Sequence, residues 1–522
     1  MRITIIFTLI INLGVGFCPA QTQFAQAIHD VGGFSFDKGN SVKQTLDGGY
    51  VVAGYTGNFG SGWGDFFLVK FNAIGSVEWA HAIGGISYDE SYSIIQTNDG
   101  GFAMVGETWN LTPDDTTSDL FFVKLNSMGE EEWDRAISGT SGIVGYSIIQ
   151  TTDNGYAAVG QNNYFGEDDA DIFIVKLTLT GVLEWSCNVG GTGSEVGYSI
   201  VQTNDSGYAV AGWTESYGVG ERDFFLVRLS SSGDMIWSRT VGGVNNDNAG
   251  SLVYTSDGGF VVTGYTSSYG IGGDLLLVKF SATGSMEWSR AVGGTNGDCG
   301  YSVVQTSDDG FATVGVTSSF GAGIPDTSNI FLVKLNSAGT FEWSRAVSLG
   351  GMQSSYGSSV VQTIDGGYAV TGTAESVDRY LFLVKLDSNG NGCIGEAISP
   401  TVTFTSPTVT IPVPLIENTI PTISSVSTTI TIPTPTVTEI CESSACLDTL
   451  FLFFPGWNLI GGPVGGISTS VFASYPAIIL PAYGYEEPGG YYISDFLEYK
   501  KGYWILALDT VVVCEDSTRF HK

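Results

Sequence analysis

Basic residues and histidine are scarce in this sequence. Lysine and arginine together number 20 against 53 acidic residues, leaving a formal charge of −33, and there are three histidines. Proteins that bind nucleic acid grip its phosphates through clustered Lys and Arg, so that class of partner is excluded. The histidine shortage removes the commonest general base as well. His29, His81 and His521 suggest no Ser–His–acid or Cys–His arrangement, and no paired CxxC spacing accompanies them to hold zinc. Charged residues of all kinds reach 14%, against about 25% in an ordinary globular domain. Long apolar runs are missing too: beyond residue 20 nothing approaches the ~18 uninterrupted apolar residues of a membrane helix.

Glycine is abundant, at 72 of 522 residues, with 43% apolar and 12% aromatic residues. That is ample material for large cores and excludes disorder throughout. Glycine together with aromatic and β-branched residues favours strands joined by tight turns over helical bundles.

Ile3 to Val15 form a short apolar run behind Arg2, ending in Cys18-Pro19-Ala20. The pattern predicts an export signal at 1–20, cleaved after Ala20, and hence a secreted or cell-surface protein. A lipoprotein reading of Cys18 suffers from Phe17, which stands where a small residue is wanted. Six cysteines follow: Cys187, Cys299, Cys393, Cys441, Cys446 and Cys514. Export permits disulfides among the last four, with the pairing open.

The central feature is internal repetition. Asp-Gly or a variant recurs at Asp47, Asp99, Asp153, Asp205, Asp257, Asp308 and Asp365, spaced 51 to 57 residues apart. Each copy has a serine before the turn (Ser41, Ser93, Ser147, Ser199, Ser251, Ser302, Ser359) and a glycine after it. Six copies are followed by a tryptophan, at positions 79, 133, 185, 237, 288 and 343. Each unit reads as four short strands; in the second copy these are 92–97, 101–108, 120–125 and 131–137. Seven such units predict an all-β, seven-bladed β-propeller of four-stranded antiparallel blades, over an open solenoid. The seventh copy lacks its Trp strand, and Gln23–Ile28 matches one, with Phe24 at the Trp position. The N-terminal strand is therefore expected to complete the last blade and close the ring.

The run Asp-Gly-Gly-Tyr, Gly-Tyr-Thr, then Leu-Val-Lys-Leu-Asn-Ser-x-Gly-x-x-x-Trp resembles the secreted seven-bladed β-propeller repeat proteins of bacteria and archaea. Its Lys-to-Trp hairpin is also similar to quinoprotein propeller blades. The resemblance spans roughly 23–392 and implies a fold; it implies no one activity.

The expected domains are a propeller at 21–396, a Thr/Pro/Ser-rich linker at 397–440 and a small aromatic-rich β domain at 441–522. Seven prolines from Pro400 to Pro435 are expected to keep the linker out of any sheet, as an extended polyproline-like stalk. The motifs Gly456-Trp457-Asn458 and Gly502-Tyr503-Trp504 resemble a compact β-module near the C-termini of secreted bacterial proteins. Trp457 and Trp504 are its candidate ligand-stacking residues, against the plainer reading that they form its core.

Glu78, Glu132, Glu184, Glu287 and Glu342 each follow a lysine by eight residues across a hairpin, which predicts cross-strand ion pairs. A second acidic set lies in the connections at one end of the blades. Asp37, Asp89, Glu195, Asp247 and Asp298 recur in the connection from blade to blade, on the same end as Asp65, Asp119, Asp171, Asp223 and Asp274, and Asp37, Asp89, Asp247 and Asp298 are the candidate metal ligands. Carboxylate oxygens suit Ca²⁺; the competing reading is that each acid caps its own turn. Asp387-x-Asn389-x-Asn391-Gly392 matches the first half of a Ca²⁺ loop, but Ile398 stands at the twelfth position. No catalytic residue and no organic cofactor is expected. The reading favoured is an exported, non-enzymatic, monomeric binding module for an extracellular protein or carbohydrate. The alternative is a propeller enzyme, either a carboxylate-based polysaccharide hydrolase or lyase or a quinone-dependent dehydrogenase.

Overall fold

The computed structural model describes residues 36–392 apart from 110–116, 140–141, 163–169, 322–327, 350–351 and 377. It also describes the backbone of strands at Phe24–His29 and from Glu396 to Cys514. Residues 21–440 form one compact unit, and 441–522 belong to another.

The larger unit is a seven-bladed β-propeller of four-stranded antiparallel blades. Blade 1 comprises Asp37–Gln44, Tyr50–Thr56, Asp65–Phe71 and Val77–Gly84, in that order outward from the axis. Blade 2 comprises Asp89–Gln96, Phe102–Trp109, Ser118–Leu125 and Glu131–Ser138. Its first strand begins three residues before the sequence-based start, because the ladder continues through a β-bulge between Ser91 and Ser93. Blades 3 to 6 begin at Ile143, Glu195, Asp247 and Asp298.

Turn chemistry sets the first hairpin of each blade. Gly100 adopts φ +83°, and Asp99 accepts from the Thr97 hydroxyl and, at 2.9 Å, from the Gly101 amide. The glycine after the turn answers to a different demand. A Cβ at Gly160 would stand 1.7 Å from the Val144 carbonyl oxygen, and all seven copies are alike. Side chains fill the space between blades: Phe66, Leu68 and Ile83 of blade 1 pack with Phe102, Phe121 and Leu125 of blade 2.

Closure is as expected. Phe24–His29 pairs with Arg379–Leu386 of blade 7, and Phe24 faces Lys385 in the register by which Trp79 faces Lys70. The Ser359 hydroxyl then accepts from the Val42 amide at 3.2 Å, and the Gln44 carboxamide from the Ile364 amide at 2.8 Å. Serines from every blade form one ring of such contacts.

The stalk expectation is corrected. The 397–440 segment joins the sheets, supplying a fifth, outermost strand to six blades, while Glu396–Ala397 supplies the sixth blade's. Thr401–Phe404 pairs with blade 5, Thr408–Thr410 with blade 4 and Leu415–Asn418 with blade 3. Thr422–Ser424, Thr429–Thr431 and Thr436–Glu439 pair with blade 2, blade 1 and the N-terminal strand in blade 7. The chain thus makes one reverse circuit as a belt. Successive belt strands start seven residues apart, from Thr401 to Thr436. In the sequence, Pro407, Pro412, Pro414, Pro421, Pro433 and Pro435 all fall between these strand ranges and none within one. The outer edge of each blade is covered by this belt.

In the second unit, Gly456–Gly461, Gly502–Ala507, Ile478–Glu486 and Gly490–Ser494 form a four-stranded antiparallel sheet. The side chains of Trp457 and Trp504 lie outside the described residues; in the backbone register Trp504 faces Leu459 and Trp457 faces Leu506. Cys187 and Cys299 are free thiols, and Cys393, Cys441 and Cys446 lie outside the described residues. Among the described residues no helix is long and apolar enough to cross a membrane.

Candidate functional site: acidic blade junctions and the axial channel

The acids converge in twos. Asp37, Asp89, Asp247 and Asp298 are each at most 1% exposed. The Asp89 carboxylate accepts from the Gly85 amide at 2.8 Å. Asp247 accepts from the Gly243 amide and the Ser268 hydroxyl, and Asp298 from the Gly294 amide and the Ser319 hydroxyl. Each therefore caps the connection into its own blade. A carboxylate of the preceding blade meets each of these three. A Cβ at Gly84 would stand 2.4 Å from both Asp65 and Asp89, and Gly242 and Gly293 separate Asp223/Asp247 and Asp274/Asp298 alike. Burial and the neighbouring charge push Asp65 and Asp223 up to about 7 and Asp274 to about 6. Burial, with the Glu107 charge adding to it, pushes Asp89 up to about 6. No group of three or more His, Cys, Asp or Glu side chains gathers among the described residues. Asp387 accepts from the Asn389 and Asn391 amides at 2.9 and 2.7 Å, as a turn cap does.

The hairpin glutamates do pair with lysines, Glu132 with Lys124 at 2.7 Å and Glu342 with Lys334 at 2.9 Å. The turn aspartates complete these pairs: Lys124 also meets Asp99 at 2.9 Å. His81 stacks on Trp79 at 4.8 Å and contacts the Gly129 carbonyl, which is the position Arg135 takes over Trp133 in the next blade.

The first strands of all seven blades surround an axial channel of about 1090 Å³. The bulge in each first strand inserts one extra residue, whose side chain is re-aimed. Those residues are Asn40, Tyr92, Tyr146, Tyr198, Gly250, Tyr301 and Ser358. Tyr92, Tyr146 and Tyr198 form a continuous aromatic wall, with ring centroids 5.1 and 5.0 Å apart. Gly250, Tyr301, Ser358 and Asn40 stand across from it. The flanking serines repeat in every blade; the bulge residues do not.

Blades 1 and 2 also depart from the repeat at the mouth. Glu90 and Glu107 lie directly opposite on adjacent strands, each 3% exposed. Like charges so placed repel, and donors offset this. Lys38 and Asn40 hold Glu90 at 3.0 and 2.9 Å, with the Tyr88 hydroxyl also donating. The Tyr92 hydroxyl and the Trp109 indole donate to Glu107 at 2.7 and 3.0 Å. Burial raises the Glu107 pKa, and the Glu90 charge adds to the rise. Across the channel, the Arg222 guanidinium lies 4.0 Å over Trp213 and donates to Glu215.

Aligning the copies on Asp-Gly hid this site, because that turn is nearly invariant. Aligning on the serine and reading one residue before it, three before it and two after it would have exposed positions 40, 38 and 43.

No protein-family model matches the chain, and no curated protein is similar to it in sequence. Solved propeller-sized structures overlap with it loosely. Sqt1 from Chaetomium thermophilum is 12% identical, covering 69% of this chain and 100% of its own, at a TM-score of 0.39. A mutant puromycin hydrolase is 14% identical over 72% of this chain at a TM-score of 0.42, and the match spans 55% of the hydrolase. The polysaccharide lyase Uly1 is 9% identical, covering 67% of this chain and 90% of its own, at a TM-score of 0.39.

Proposed function

We propose that this is an exported, non-enzymatic binding propeller that receives a small carbohydrate-like ligand in its axial channel. The C-terminal unit, in this reading, serves attachment or a second contact at the cell surface. The observation that carries the proposal is the bulge position. The flanking serine is the same in all seven blades, whereas the bulge supplies three adjoining tyrosines and, on the other blades, Gly250, Ser358, Asn40 and a fourth tyrosine, Tyr301. Tyrosine faces stack on the C–H faces of sugars while their hydroxyls bond outward, and a cavity of this size suits a small ligand.

The enzyme alternative draws on one observation, the Glu90/Glu107 pair in unlike environments. Every oxygen of that pair is already engaged by a protein donor, which favours a role in fixing Tyr92. A glycan array probed with the full chain and with Tyr146→Ala tests the binding reading. Wild type is expected to retain specific glycans that the variant binds at least tenfold more weakly, with similar melting temperatures. Equal binding by both, or none by wild type, would remove the channel from consideration.

A further inference from the structure

Eight lysines lie among the described residues, and seven of them contact a carboxylate within 3.4 Å. Lys43 is the exception. It lines the axial channel, partly buried, and makes no ion pair or side-chain hydrogen bond. Its place in the ring belongs to Ile95, Ile149, Val201, Val253, Val304 and Val361 in the other blades. Burial draws its amine below the ordinary lysine range. An ammonium group withdrawn from water without a counter-charge destabilises the fold, and a branched aliphatic residue evidently fits there six times. The other charged groups lining the channel are engaged, Arg222 with Glu215 and Asp298 with Ser319 and the Gly294 amide.

Two residues before Lys43 stands the serine ring. Each hydroxyl accepts from an amide of the adjoining blade, and an accepting hydroxyl keeps its own proton to donate; of the seven, only Ser199 already gives its proton to a carbonyl, that of Leu252 at 3.5 Å. One cation beside a ring of hydroxyl donors is the chemistry that receives a negative oxygen.

We propose that the channel selects an organic anion, a carboxylate-bearing sugar or similar small acid, whose carboxylate meets the Lys43 ammonium beside the serine hydroxyls. A lone inorganic ion would leave most of the channel empty. This rests on the channel being the binding site.

The test compares wild type, Lys43→Ile and Lys43→Met as full chains in low-salt buffer. Each is titrated with sodium D-glucuronate, with citrate and with uncharged D-glucose, against a sodium chloride control. Without ligand, Lys43→Ile is expected to melt above wild type, because it restores the residue of the other blades. Glucuronate or citrate is expected to raise the wild-type melting temperature beyond the chloride control. Binding to Lys43→Met is expected to be at least tenfold weaker. Lower stability of Lys43→Ile would overturn the proposal, since it would show a structural partner for the amine. Equal shifts in wild type and Lys43→Met, or none from either acid, would overturn it as well. If a neutral glycan still binds through Tyr146 while Lys43 proves irrelevant, the anion fails and the channel reading survives. If Tyr146→Ala is also without effect, both fall.

Discussion

Tryptophan shows how a single side chain joins neighbouring blades. Trp79, Trp133, Trp185, Trp237, Trp288 and Trp343 are partly buried, and each meets a Phe or Tyr of the next blade at 5.5 to 5.9 Å. Arg239 and Arg290 lie over their own tryptophans and donate to carbonyls of the following blade, at 2.8 Å to Gly284 and 2.7 Å to Gly339. The sequence made the Trp repeat plain and left its partner hidden, because the partner lies one blade further along the chain. The Lys–Glu pairs were legible from hairpin spacing; the turn aspartates bonded to the same lysines were not, since a whole strand intervenes. The turns themselves yield a prediction. Where six of the seven hairpins have glycine, asparagine or aspartate at the left-handed position, the fourth has Ser206 at φ 63°. Left-handed backbone costs an L-residue roughly 1–2 kcal/mol, so Ser206→Gly should stabilise the propeller by about 1 kcal/mol in chemical denaturation. An unchanged or lower midpoint would refute that conformation.

At the scale of elements, the belt is where sequence reasoning failed most instructively. Proline-rich composition suggested a free stalk, yet the seven-residue period puts each proline between strands and leaves most ladder positions to Thr, Ile and Val. Composition averages over position, and a ladder depends on position alone. The four-stranded blade and the closing N-terminal strand were legible because they carry the motif; the belt carries a different, shorter one. Its role can be tested by proline itself. Ile423 faces Ile137 and Ser424 faces Ala136, so Ile423→Pro combined with Ser424→Pro removes whichever amide bonds the sheet. Amide exchange in Glu131–Ser138 should quicken, with a lower melting temperature. Unaltered exchange there would mean that this strand is not part of the sheet.

For the whole molecule, charge shapes the response to pH. Asp65 and Asp223 keep their protons to about pH 7 when folded, against an ordinary value of 3.8. Between pH 4 and 7 the unfolded chain binds fewer protons than the native one, so these groups lower stability as pH rises. Asp47, Asp153, Asp257 and Asp308, held at about 2 by hydrogen bonds and lysine, act oppositely. Their stabilisation is present above pH 4 and is lost as pH falls towards 2. Melting temperature should therefore peak near pH 4 to 5 and decline on both sides. A maximum at pH 7 or above would contradict the buried acid pairs. The central claim concerns where the ligand sits, and hydrogen-exchange mass spectrometry of the full chain with a bound glycan or with glucuronate tests it most directly. The account predicts new protection in the first-strand peptides containing Tyr92, Tyr146 and Tyr198, with the outer strands unchanged. Protection confined to the outer strands or to residues 441–522 would contradict it.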